Sequence, residues 1–258
     1  MQANKSLNEL KCNIVLQQLL NNFTGKIPLM RFSKKISCDT CELKCDIYST
    51  LTEKGNNYQQ VNPLHAHFKK HDVICKQGTE VSHALFLVKG SAKLYIEGLN
   101  NRNIILYILK PPAYIGLLCF FENPEYSYSV SALEDSEVCF IELDLVKKLY
   151  IENHDLLLSL NKAFGKSVSA IMKKLISLNQ KQIRGRFAEN LIYLSEMHQS
   201  HKFHLGMTRK EIGEMIAISE ENAVRLFTEF SKENIISLKG REIEILDMAL
   251  MKKISEVG

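Results

Sequence analysis

The stretch 208–230, TRKEIGEMIAISEENAVRLFTEF, constrains this chain more than any other. Thr208 is placed to cap a helix, and Glu211, three residues on, can return the hydrogen bond, the reciprocal pairing of a capping box. Ile212, Met215 and Ile216 follow at helical spacing. The pattern breaks at Ala217 and Ile218, and Ser219 caps a second helix whose apolar face is Ala223, Leu226, Phe227 and Phe230. Glu221, Val224, Arg225 and Thr228 are spaced so that all four project from another side. Two capped helices joined by a tight break read as a helix-turn-helix. A major groove admits the second helix, and residues near its N-terminus reach base edges. Arginine suits the paired acceptors of guanine, and glutamate can accept from a cytosine amino group. A helical hairpin in any core shows the same caps and stripes, so the residues that follow have to decide.

Residues 234–247, NIISLKGREIEILD, read as two short β-branched strands around Lys239 and Gly240, a hairpin with a turn glycine. Two helices followed by a hairpin make the winged variant of the motif. On these residues the segment resembles the DNA-binding module of the Crp/Fnr family of bacterial transcription regulators. The family's recognition helix has a Glu, two variable positions, a third base-reading position and an Arg, which here are Glu221, Asn222-Ala223, Val224 and Arg225. The resemblance implies that Glu221, Val224 and Arg225 read bases, with Asn222 on the same helix. It implies that Thr208, Arg209, Lys210 and Ser219 contact phosphates. It further implies a homodimer on double-stranded DNA with a palindromic site, and RNA polymerase as a partner. Val224 stands where the Fnr branch has Ser, and an apolar side chain suits a thymine methyl. Ala217 stands where the family usually has Gly; in a left-handed backbone its Cβ costs on the order of 1 kcal/mol.

Composition narrows the class without choosing it. The chain has 258 residues, 45% hydrophobic and 24% charged, which suits a globular protein of two domains. The net charge of +4 is mild, and residues 185–241 hold eight Lys/Arg against eight Asp/Glu, so charge alone does not argue for nucleic acid. Basic residues gather just before that region, at Lys173, Lys174, Lys181, Arg184 and Arg186. The longest apolar runs, such as 114–121, are too short to span a bilayer, and 1–8 is polar, unlike a secretory signal. The expected location is the cytoplasm, with no membrane partner. There, seven cysteines argue against structural disulfides.

Three of those cysteines, Cys38, Cys41 and Cys45, lie within SCDTCELKC. Thiolates that close repel unless a cation or cluster neutralises them, and soft sulfur ligands select zinc or iron–sulfur centres. Free thiols or a redox pair are the plainer alternatives. A fourth ligand has to come from Cys12, Cys75, Cys119 or Cys139. Fnr-type regulators hold an oxygen-labile [4Fe–4S] cluster with three N-terminal cysteines and one on a strand leading into the dimer helix. The resemblance points to Cys139 in SEVCFIELDLVKKL, giving Cys38, Cys41, Cys45 and Cys139 as the metal set. Cys12, Cys75 and Cys119 read as non-ligands; His65, His67 and His71 form an H-x-H-x3-H run that could serve a metal or haem, with a solvated loop as the plainer reading. A zinc-dependent enzyme is the rival of another class. No H-E-x-x-H run, deaminase order, P-loop or nucleophile elbow supports it, and the expectation is no enzyme.

Between 68 and 143 the pattern is of short strands, at 84–89, 92–96, 103–109, 114–121, 128–133 and 137–141, broken by Gly78, Gly90, Gly98, Pro111-Pro112 and Asn123-Pro124. Such spacing argues for a sandwich or barrel, and it resembles the β-roll of cyclic-nucleotide-binding-type domains. A cyclic nucleotide needs a carboxylate for its ribose and an Arg-Ser pair for its phosphate. Here Gly116 is followed by Leu117 and Leu118, the pair becomes Tyr126-Ser127, and no Arg lies between Arg102 and Arg184. cAMP is therefore not expected; haem, another small ligand or thiol redox without a cluster are the other candidate signals.

Residues 144–178 read as one long helix. Leu157, Leu160, Phe164, Val168, Ile171, Leu175 and Leu178 recur at steps of three and four, near a heptad seam that suits a two-helix dimer. A single helix packed on its own β-domain is the plainer alternative. The expected fold class is α+β, with an N-terminal cysteine segment over 1–60, a β-roll sensor over 61–143, a dimerisation helix over 144–181 and a winged helix-turn-helix over 182–258.

Overall fold

The computed structural model describes residues 31–32, 38, 41, 43–53, 63–119 and 125–258. Cys12 lies outside them. After a short strand β1 (Arg31–Phe32) and a helix α1 (Asp46–Glu53), the chain builds eight strands in sequence. These are β2 (Leu64–Phe68), β3 (Val73–Cys75), β4 (His83–Lys89), β5 (Ala92–Ile96), β6 (Ile104–Leu109), β7 (Ala113–Ile115), β8 (Ser129–Ala132) and β9 (Ser136–Glu142). They form two antiparallel sheets, in the orders β1-β2-β9-β4-β7 and β3-β8-β5-β6. The inward residues of both sheets, among them Phe68, Leu87, Leu94, Val130 and Val138, make one buried core, as a period of two requires when one face is covered.

Three local readings change. The strand expected over 114–121 stops at Ile115, because Gly116 turns with φ of 97° into a 3-10 turn over Leu117–Cys119. His65 and His67 sit in β2, and His65 is 2% exposed, so only His71, in a turn, fits the expected loop. The long helix is two. α2 (Leu143–Glu152) ends at Asn153, whose extended backbone breaks the run. The Asn153 side chain then accepts from the Leu156 N–H and caps α3 (His154–Gln180).

A short extended step at Lys181 and Gln182 leads to α4 (Ile183–His198), β10 (Lys202–His204), α5 (Arg209–Ile216), α6 (Glu220–Lys232), β11 (Ile236–Lys239), β12 (Glu242–Ile245) and α7 (Met248–Val257). β10, β12 and β11 pair into a small antiparallel sheet, of which only the β11–β12 hairpin was legible. Phe187 of α4 meets Phe227 and Phe230 of α6 edge-on, with ring centres 4.8 and 4.9 Å apart, at the centre of a second core.

That second core is not confined to the C-terminal residues. Tyr95, Ile105, Ile108 and Leu133 of the β-roll belong to it. β6 thus buries Leu106 and Leu109 on one face and Ile105 and Ile108 on the other. This explains why IILYIL is a continuous apolar run rather than an alternation. Polar contacts seal the edge of the interface. The Ile108 N–H donates to Tyr193 Oη, Lys70 Nζ donates to the Gly206 carbonyl, and Lys110 Nζ to that of Met197.

Candidate nucleic-acid interface and cysteine site

The capping box at Thr208 is complete. Thr208 Oγ1 accepts from the Glu211 N–H at 3.1 Å, and Glu211 Oε2 accepts from the Thr208 N–H at 2.7 Å. α5 ends at Ala217, which is left-handed with φ of 55°. Gly213 supplies the room for the crossing; a Cβ there would lie 2.8 Å from the Ile218 carbonyl oxygen. Ser219 then caps α6 by accepting from the Asn222 N–H. Ala223, Leu226, Phe227 and Phe230 are buried, while Glu221, Val224, Arg225 and Thr228 are exposed. The face expected to read bases is therefore the one presented to solvent. Arg225 Nε lies 3.4 Å from Glu229 one turn on, and hydrogen bonds from Ser219 and its own backbone hold the Glu221 carboxyl below the usual range.

The four expected phosphate contacts divide. Lys210 and Ser219 are exposed. Thr208 is half-buried with its hydroxyl committed to the cap. Arg209 is half-buried, its guanidinium carbon 3.8 Å over the Phe227 ring and one N–H donating to the Gly240 carbonyl at the wing tip. Lys239 and Arg241 of the wing are exposed beside it. The basic run before the domain is not a solvent-facing stripe. Arg184 pairs with Glu233 at 2.7 Å and Glu229 at 3.6 Å, and Lys181 with Glu189 at 2.8 Å. Lys174 and Arg186 each donate to a carbonyl at the end of α5, those of Met215 and Ile216.

The cysteines converge. Cys38, Cys41 and Cys45, just ahead of α1, line one small cavity with Cys139 of β9. Apolar walls from Ile47, Phe86, Val88 and Ile141 close it. Cys139 is in register with His65 on one side and Phe86 on the other, so it sits in mid-sheet. His65 lines the same cavity, and its Nδ1 lies 2.7 Å from Glu137 Oε1. Burial pushes the Cys139 thiol well up, and the nearby sulfurs of Cys45, Cys38 and Cys41 push it further. Burial likewise raises Cys45. Among the described residues no three His, Cys, Asp or Glu side chains close round a single point as ligands of one ion. Cys75 and Cys119 are buried elsewhere in the roll, as free thiols that pack like small apolar groups.

The cysteine segment is also fastened to α3. Asp46, next to Cys45, accepts from Ser159 Oγ at 2.6 Å. On α3 itself the expected seam splits into two stripes. Leu160 is 2% exposed in the β-roll core, and Ile171 packs against that core. Leu157, Val168 and Leu178 are half-buried. Phe164 and Leu175 are exposed, and Leu158, Met172 and Ile176 join them on the open side. One inward and one outward apolar stripe, side by side on the helix, had read as a single seam.

Inside the roll, Tyr126, at the first position of the expected pair, is buried, Ser127 is exposed, and Tyr128 beyond it is buried. Tyr128 Oη accepts from the Gly116 N–H at 2.8 Å. The Tyr126 and Tyr128 rings meet edge to face, with centres 6.4 Å apart.

Comparison with known proteins covers both halves. The cyclic nucleotide-binding domain family matches residues 65–153, and the Crp-like helix-turn-helix domain family matches residues 185–254. The cAMP-activated global transcriptional regulator CRP of Salmonella typhimurium is 28% identical over 70% of this chain and 90% of its own. The transcriptional activator protein anr of Pseudomonas aeruginosa is 25% identical over 81% of this chain and 88% of its own. Among solved structures, FixK2 from Bradyrhizobium japonicum superposes with a TM-score of 0.68 at 16% identity, over 75% of this chain and 98% of its own. The likeness in structure is one of fold.

Proposed function

From the premise that this chain is a DNA-binding transcription regulator of the Crp/Fnr class, we propose that it works as a homodimer on a palindromic site, with RNA polymerase as its partner. We propose further that its sensor is an iron–sulfur cluster held by Cys38, Cys41, Cys45 and Cys139. The observation that carries the sensor reading is the meeting of these four cysteines, from two distant stretches of chain, on one apolar-walled cavity.

The donor set fits the group. Four thiols on one small cavity are the ligands a [4Fe–4S] centre takes. Thiolates also suit a tetrahedral zinc, at zinc–sulfur bonds of ~2.3 Å, and the metal content of the protein separates the two. Such a cluster, when bound, supplies a redox centre sensitive to oxygen and nitric oxide. The chain's own part is to exclude water with Ile47, Phe86 and Ile141, to fix Cys139 in mid-sheet, and to join the cysteine segment to α3 through Asp46 and Ser159.

For the dimer, the support is the exposed stripe of Leu158, Phe164, Met172, Leu175 and Ile176, an apolar surface that water disfavours. For reading, it is the exposed face of Glu221, Val224 and Arg225 near the N-terminus of α6. A two-fold dimer would place two such helices about one turn of duplex apart.

The test is iron and acid-labile sulfide per chain in protein purified without oxygen, with visible spectra before and after air. About four of each, and a charge-transfer band that bleaches, is the expected result. Iron-free protein that binds DNA fully in air would remove the cluster and leave the DNA-binding class intact.

A further inference from the structure

A cleft of about 810 Å³ lies between α3, β6, α4 and α5, where the long helix, the β-roll and the DNA-binding residues meet. That volume is within the usual range for small-molecule sites, roughly 300–1,000 Å³. On α3 the cleft is lined by Lys162, Lys166 and Lys173, across the helix from Phe164 and Leu175 and one turn from Leu158 and Ile176 at the near edge of the exposed apolar stripe.

Its deep wall carries an unusual group. Asn190 is 4% exposed, and neither its amide nitrogen nor its oxygen has a hydrogen-bond partner among the described residues. Arg186 Nε, in the same wall, is in the same position. A buried amide left unpaired costs on the order of 1–3 kcal/mol, so such groups ordinarily have a partner. Leu106, Tyr107 and Met215 give the wall its apolar part. Of its two carboxylates, Glu189 and Glu196, the first is paired with Lys181 at 2.8 Å, and the two are outnumbered by Lys162, Lys166, Lys173, Lys174 and Arg186. Lysines at the mouth, an apolar middle and a donor–acceptor pair at depth describe one kind of guest.

We propose that this cleft binds an amphipathic organic anion, its carboxylate or phosphate taken by Lys166 and Lys173, its apolar body against Leu106 and Tyr107, and a polar group meeting the Asn190 amide. The site is separate from the cysteine cavity. Its walls include Lys174 and Arg186, which hold the carbonyls of Met215 and Ile216 just before the turn into α6. A guest there touches the long helix and the reading head at once, and so favours one placement of the two over others.

The probe is 8-anilinonaphthalene-1-sulfonate, an anion with an apolar body, titrated against the full chain and followed by its fluorescence. The expected result is saturable binding of one dye per chain. Lys166→Glu with Lys173→Glu should weaken it at least tenfold, and Ala170→Trp, which fills the cleft from α3, should abolish it. Phe164→Ser, on the exposed stripe and across α3 from these lysines, should leave it unchanged. Dye binding that does not saturate, or that is lost in Phe164→Ser and kept in the lysine pair, overturns the proposal. The readout needs neither DNA nor iron, so its failure leaves the regulator and cluster readings untouched.

Discussion

Lys93 of β5 places its ammonium 3.0 Å from Glu211 Oε1, so the carboxylate that completes the cap of α5 also grips the β-roll. Burial alone would raise the Glu211 carboxyl; the Thr208 N–H and the Lys93 charge outweigh it and hold it below the usual range. Glu214, 3.8 Å from the same lysine, goes the other way because its burial is less fully offset. One cation serves two carboxylates on a helix whose residues 211–216 are all buried.

Lys93→Ala should therefore loosen α5. Leaving a buried carboxylate without its ion partner costs about 1–3 kcal/mol, which is roughly a 5- to 150-fold loss of amide protection. Hydrogen exchange over 211–216 checks this, and unchanged protection would show the pair to be idle. The pH dependence has a definite sign. Glu211 has a lowered folded value, so its stabilisation is present above the ordinary carboxylate range and is lost as pH falls through that lowered value.

Arg225→Ala should weaken binding to a cognate site by about 1–3 kcal/mol and relax the choice at one base pair. Lys210→Ala should weaken all sequences alike and reduce the salt slope by about one. Anisotropy titrations at several salt concentrations separate the two. Equal loss on cognate and random DNA for Arg225→Ala would sink its base-reading role.

Two substitutions in the turn should act in opposite directions. Gly213→Ala drives a Cβ to 2.8 Å from the Ile218 carbonyl oxygen, a backbone atom that cannot step aside; a loss of about 1–3 kcal/mol is expected, as for other overpacked sites. Ala217→Gly relieves a left-handed residue, a strain of about 1–2 kcal/mol, against about 0.5–1 for the freer unfolded glycine, so a small gain is expected. Thermal melts of both variants decide, and equal signs would refute the reading of the turn.

Leu175→Asp should dissociate the proposed dimer. A charge on an apolar helix seam must be desolvated on pairing, and a rise of at least about tenfold in the dissociation constant is expected. Sedimentation velocity checks it, with Leu160→Ala as contrast. Leu160 lies inside the β-roll, so that variant should lose about 2–5 kcal/mol of stability while still pairing.

Much of this architecture was legible because caps and turns are written in residues with few other uses. Thr208, Glu211, Ser219 and Gly240 announced both helices and the wing, and the structure places them so. Asn153 carries the same kind of cap, but it sits in an unbroken apolar rhythm and was read through. Packing partners were harder. Leu160 and Phe164 look alike in a stripe, and only the position of the β-roll tells which is inward. The burial of His65 beside Cys139 depends on strand register across the whole domain, which no local pattern records. Lys93 looks like an ordinary surface residue until a second domain covers it.

β6 has no free face, since Ile105 and Ile108 lie in one core and Leu106 and Leu109 in the other. Neither half of the chain can be cut away without leaving the other with a raw apolar surface, so residues 63–180 expressed alone should be sticky and prone to aggregate. On heating, the halves should melt together in one transition, because a strand that frays from either side loses both of its cores at once. What divides the molecule along its sequence does not divide it thermodynamically.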